Sequence, residues 1–149
     1  MKSRHPSPTL TSACGHRNRV GHPLAQMENA EFKIEKAVMK DLKLLARFVE
    51  LYCHDHHSDE PRGEFRLKGY DVQRLHGSAL SLCAECRKLL AHAFVKRTVC
   101  PMDPKPICRK CPEHCYAPSY RARIREVMKH SGRKLVLRGR LDYLFHLIG

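Results

Sequence analysis

The chain has 149 residues, 42% of them hydrophobic, with 28 lysines and arginines against 15 acidic residues and a net charge of +13. That length suits one domain with a modest core, and the charge favours acidic partners. No stretch approaches the ~18 consecutive apolar residues of a membrane-spanning helix, which argues against any membrane association.

Residues 1–26 carry Pro6, Pro8, Pro23 and three histidines without a periodic apolar pattern, and are expected to be a disordered N-terminal extension. They also lack the apolar run of a signal peptide. Met27 follows, and the ordered pattern starts with it; Met27 is the expected natural start, and 27–149 the expected single domain.

Residues 30–53 read as a long amphipathic helix. Asn29 can cap it, and Glu31 and Glu35 suit the positive end of its dipole. Ile34, Val38, Leu42, Leu45, Val49 and Tyr52 recur at three- and four-residue steps, which is one helical face. The helix is expected to end at Tyr52-Cys53-His54-Asp55-His56-His57. Residues 58–77 form a polar connection, with a short helical turn within Tyr70–His76. A second helix is predicted over Ala84–Arg97, burying Leu89, Leu90, Ala93 and Phe94. The prolines of 101–107 break the chain into a loop. A third helix is predicted over Pro118–His130, with Pro118 in its first turn and Gly132 as its stop. A fourth, Arg133–Ile148, is expected to be helical with a break near Gly139. No strand signal is visible. The expected fold is all-α: a small bundle of three to four helices stapled by cysteine-rich metal-binding loops.

The stapling follows from eight cysteines. Six fall between residues 83 and 115, as Cys83-x2-Cys86, Cys100, and Cys108-x2-Cys111-x3-Cys115. Disulfide frameworks belong to oxidising compartments, and nothing here directs the chain to one. A reduced, cytoplasmic protein whose thiols bind metal is the better reading. Cys14 lies apart and is left out of the sites.

Helix polarity sorts the ligands. Antiparallel neighbours place the end of the first helix beside the start of the second. A helix rises ~1.5 Å per residue, so Cys86 and Cys100 stand roughly 21 Å apart and cannot share one ion. The first expected site is therefore Cys53, His57, Cys83 and Cys86, a closed zinc sphere of three thiolates and an imidazole. His57 lies four residues after Cys53, on the same helical face. His56 is the alternative nitrogen, and Asp55 or Asp59 an orienting carboxylate. The second expected site is Cys100, Cys108, Cys111 and Cys115, suited to zinc or to an iron–sulfur cluster, with His114 as a substitute ligand or outer donor. A competing arrangement pairs Cys83 and Cys86 with Cys108 and Cys111, at ordinary four-cysteine zinc spacing.

Taken together, Leu51-Tyr52-Cys53 with its histidine run, Cys83-x2-Cys86, Cys100-Pro101, Lys105-Pro106-x-Cys108-x2-Cys111-Pro112-x-His114-Cys115-Tyr116 and Ile124-Arg125-x-Val127-Met128-x3-Gly132 resemble the nitrous oxide-stimulated promoter (YgbA-like) family. The resemblance runs from about Met27 to the C-terminus. It implies induction by nitrogen oxides and a part in nitrosative stress, and it supplies no reaction.

Three functions fit. One is a cytoplasmic metal-binding module that binds or senses in the nitric oxide response, with a protein partner still to be identified. Another is an iron–sulfur redox protein. The third is a nucleic-acid-binding regulator using Arg121, Arg125, Lys129, Arg133 and Lys134, in a segment (residues 101–149) with eleven basic and four acidic residues. The bland alternative for that stripe is a solvated outer face. An enzyme is not favoured: no nucleophile elbow, phosphate loop or paired-carboxylate motif is visible, and four ligands leave a metal no open position.

Overall fold

The computed structural model describes residues 35–143. The expectations for the tail, Cys14, Met27, Asn29, Glu31, Ile34, Phe145 and Ile148 lie outside them. The fold is mostly helical. Helix α1 spans Lys36–His56, α2 Val72–His76, α3 Ala84–Thr98 and α4 Pro118–Leu137, with 3-10 turns at Cys108–Lys110 and Leu141–Tyr143.

Helix α1 has no glycine or proline inside and buries Val38, Leu42, Leu45, Ala46, Phe48, Val49, Tyr52 and Cys53. Burying each of the larger of these side chains is worth ~1.5–3 kcal/mol. It runs antiparallel to α3. The start of α1 meets the end of α3 where Asp41 accepts from Arg97 Nε at 2.7 Å, and the opposite ends meet at Cys53 and Cys83. Leu89, Leu90, Ala93 and Phe94 form the buried face of α3, and Ile124, Val127 and Leu135 that of α4.

Two expectations are corrected. The fold is not purely helical. Strands β1 (Arg62–Glu64) and β2 (Ser81–Cys83) pair antiparallel, with Arg62 opposite Cys83, Gly63 opposite Leu82 and Glu64 opposite Ser81. Phe65 N–H donates to the Leu80 carbonyl at 2.7 Å and continues the ladder. Three residues are too few to show a two-residue alternation, so the pairing left no sequence signal. This hairpin-like arch holds residues 60–62 beside Cys83, which shapes the site described below.

Nor does Gly132 stop the third helix, because α4 continues to Leu137. Ser131 and Gly132 are both buried, and the Ser131 hydroxyl donates to the Phe48 carbonyl of α1 at 2.7 Å. A glycine on a packed face costs the helix ~1 kcal/mol, which tertiary contact offsets. The real stop is Gly139, with φ of 84°. Residues 133–137 thus end α4 rather than open a separate helix.

Tyr52 donates to Glu126 at 2.7 Å, and Asp55 accepts from His130 at 2.9 Å and from Lys134, all between α1 and α4. Hydrogen bonding from Lys134, then from His130 and His54, holds the Asp55 carboxyl well below the usual carboxylate range. A depressed folded-state pKa gives stability that is full above the unfolded value near ~4 and is lost as pH falls below it. Asp55→Asn is therefore expected to cost about 1–2 kcal/mol at neutral pH, between exposed and buried ion pairs. In denaturant melts its curve should converge on wild type under acid conditions. An unchanged gap at low pH would refute the assignment.

Among the described residues, no helix is long and apolar enough to cross a membrane.

Candidate metal centre

Three thiols meet where α1 ends and α3 begins. Cys53 and Cys83 are fully buried and Cys86 is 2% exposed, and their sulfurs all lie within 4.8 Å of one another. Tetrahedral zinc, with Zn–S near ~2.3 Å, sets its sulfurs ~3.8 Å apart, so small side-chain rotations suffice to close this group on one ion.

The backbone is arranged for negative charge on these sulfurs. Cys83 N–H donates to Cys53 Sγ at 3.3 Å, and Cys86 N–H to Cys83 Sγ at 3.4 Å. Cys83 is the N-cap of α3, so the positive end of that helix dipole falls on the cluster. Burial and the neighbouring thiols still push the Cys86 thiol far up, and burial pushes Cys83 up as well. Three thiolates cannot share this dry pocket without a cation, and a coordinated cation deprotonates thiols outright. The donor set therefore fits a soft divalent metal.

A second group shares Cys83: His57, Glu60 and Cys83 also place one donor atom each within 4.8 Å. His57 Nδ1 bonds Glu60 Oε1 at 2.6 Å, which leaves Nε2 as the free ring nitrogen. The hydrogen bond with His57 holds the Glu60 carboxyl below its usual range. Glu60 is thus the carboxylate that orients the imidazole. The expectation of Asp55 or Asp59 is corrected: Asp55 is engaged with α4, and Asp59 accepts from Ser58. Glu60 carries no signal in the sequence, because only the β1–β2 pairing brings the 58–62 segment back beside Cys83. His56 faces the other way. It stacks on Tyr52 at 4.4 Å and meets His130 Nδ1 at 3.2 Å.

Cys100, Cys108, Cys111 and Cys115 do not join this group. They line a cavity of about 310 Å³ beyond the end of α3, with Arg97, His114 and Tyr116. Cys83 and Cys86 stand at the start of α3 and this cavity lies beyond its end, so the competing pairing of Cys83 and Cys86 with Cys108 and Cys111 is not the arrangement seen. No three donors of the second set lie within 4.8 Å of one another. Burial raises the Cys108 thiol, and Arg97 opposes that rise. Burial, with Arg121 and Arg125, lowers His114 and favours its neutral imidazole.

The nitrous oxide-stimulated promoter family matches residues 36–149, which includes α1, both cysteine groups and α4. The chain belongs to this family. A stretch of 46 residues is also 35% identical to the YgbA protein of Escherichia coli strain K12, covering 31% of this chain and 39% of that protein. No solved structure matches the chain. Family membership associates the protein with expression stimulated by nitrous oxide, and the thiol cluster lies within the matched segment.

Proposed function

We propose that this protein is a cytoplasmic metal-binding module of the nitric oxide response, acting as a binding or sensing scaffold rather than as a catalyst. The observation that carries this reading is the convergence of three buried thiols, from α1, the end of β2 and the first turn of α3, within 4.8 Å. Cys53, Cys83 and Cys86 supply thiolates and His57 the fourth donor, with Glu60 behind it. Three sulfurs and one nitrogen suit zinc, and a closed sphere of four leaves no position for a substrate. The ion would tie the end of α1 to the start of α3 and stabilise the fold.

Elemental analysis of protein purified without oxygen tests this. One zinc per chain, lost in Cys53→Ser and Cys86→Ser, is the expected result. Zinc content unaffected by either substitution would remove the reading.

A second reading, contact with a polyanion, draws on α4. Arg121, Arg125, Lys129 and Arg133 recur every fourth residue, ~6 Å per step, and none makes an ion pair among the described residues. Lys134 is already committed to Asp55. Duplex DNA should then bind with a steep salt dependence. Arg125→Glu with Lys129→Glu should flatten the log–log salt slope by about 2. A slope that does not change would eliminate this surface.

A further inference from the structure

We propose that Cys100, Cys108, Cys111 and Cys115 are the four thiolate ligands of an iron–sulfur cluster seated in the cavity beyond α3. This site is separate from the closed one above and does not depend on it.

Space separates the two sites. A single tetrahedral ion needs no cavity, because its four ligand atoms nearly touch. The sulfurs of Cys53, Cys83 and Cys86 satisfy that condition. The second set instead surrounds a space of about 310 Å³, with no three donors within 4.8 Å. A cuboidal cluster, whose irons stand at alternate corners, spreads its terminal sulfurs further apart and fills such a space.

The chain around the cavity also suits a cluster. The four cysteines come from the residues after α3, the 3-10 turn, and the approach to α4, so the ligands converge from several directions. Cys100 and Cys111 each precede a proline, as in the cysteine–proline ligand of bacterial ferredoxin loops. Tyr116 is buried and gives one wall. Four thiolates around an iron–sulfur core carry net negative charge, and Arg97, ion-paired with Asp41 at 2.6 Å, lines the cavity beside it. Arg97 is only 8% exposed, and its charge acts on both Cys100 and Cys108. Asp41 holds its Nε, and its Nη1 donates to the Pro106 carbonyl at 2.9 Å, fixing the loop between those two cysteines.

His114 supplies an independent observation. Its Nδ1 is buried without a hydrogen-bond partner, although the residue lines the cavity. A buried nitrogen left unpaired costs ~1–3 kcal/mol. A sulfide or thiolate in the cavity would accept its proton, and such hydrogen bonds tune cluster potential. Cys115 is exposed and Cys111 partly so, which leaves one side of the cluster open to small molecules.

Ligation transfers no electrons. Each thiol exchanges onto iron, and its proton goes to the ligand it displaces. The test is an anaerobic titration of the full chain with a synthetic four-iron, four-sulfide complex capped by alkyl thiolates. Retained iron, sulfide and visible absorption are read after gel filtration. The expected result is one cluster retained per chain, lost severalfold in Cys111→Ala with Cys115→Ala. Those two side chains lie near the surface, so the variant should keep its far-ultraviolet circular dichroism and the zinc of the other site. Cys53→Ser should lose zinc yet retain iron and sulfide, which distinguishes failure of either site from failure of the other. A second zinc with no retained cluster would overturn the proposal. Iron retained equally by the Cys111→Ala, Cys115→Ala variant would mark adventitious binding and overturn it as well.

Discussion

Cys53→Ser is expected to destabilise the protein by at least about 3 kcal/mol and to abolish its response to chelators. Cys53 has no exposed surface, accepts the Cys83 N–H, and sits within 4.8 Å of two further sulfurs. A serine hydroxyl is a shorter and harder donor than a thiolate, so the ion loses both a ligand and its fit. Where a metal site forms only on folding, its binding free energy is folding free energy, ~10–16 kcal/mol for structural zinc in small domains. Here a helical core remains, so the loss is a fraction of that. For a chain of this length, each kcal/mol shifts Tm by ~2–4 °C, and a fall near 10 °C is expected. A strong chelator should move the wild-type melt towards that of the variant and leave the variant unmoved. A wild-type melt indifferent to chelator would reduce the three thiols to ordinary core residues.

Phe94→Ala is expected to cost about 3–5 kcal/mol while leaving the zinc content unchanged. Phe94 is fully buried on α3, between the two cysteine-lined ends. It meets Phe65 edge-on at 5.7 Å between ring centroids and Tyr70 at 5.5 Å. Removing the ring leaves a cavity walled by side chains from three segments that cannot all collapse into it. Phe94 lies eight residues along α3 from Cys86, about two turns from the thiol cluster, so Phe94→Ala and Cys53→Ser should separate. The first lowers Tm at full metal occupancy, and the second lowers both. Loss of zinc in Phe94→Ala would mean that the core, and not the donor set, governs occupancy.

The legible part of this protein is local. Val38, Leu42, Leu45, Val49 and Tyr52 mark α1 because helical spacing brings them to one face wherever the helix packs. The bounds of α3, Ala84–Thr98, are close to those expected because a capping residue precedes it and a proline-rich loop follows. The meeting of Cys53 with Cys83 and Cys86 was accessible too, since antiparallel packing of consecutive helices joins those ends.

The less legible part depends on contacts between distant residues. Gly132 reads as a stop by its residue type, yet Ser131 bonded to Phe48 carries the helix past it. The choice between His56 and His57 cannot be made from their order. In the fold His56 turns towards α4, where it stacks on Tyr52 and meets His130, while His57 bonds Glu60 beside Cys83.

By itself, then, the sequence determined a helical, cysteine-rich protein with donor groups at both ends of α3, because periodicity, caps and thiol spacing act within a few residues. Only the tertiary structure decided the pairing of Arg62–Glu64 with Ser81–Cys83, the recruitment of Glu60 to His57, and the difference between a close-set thiol cluster and an open four-cysteine cavity. Those outcomes depend on where separate segments come to rest against one another, and no local pattern carries that information.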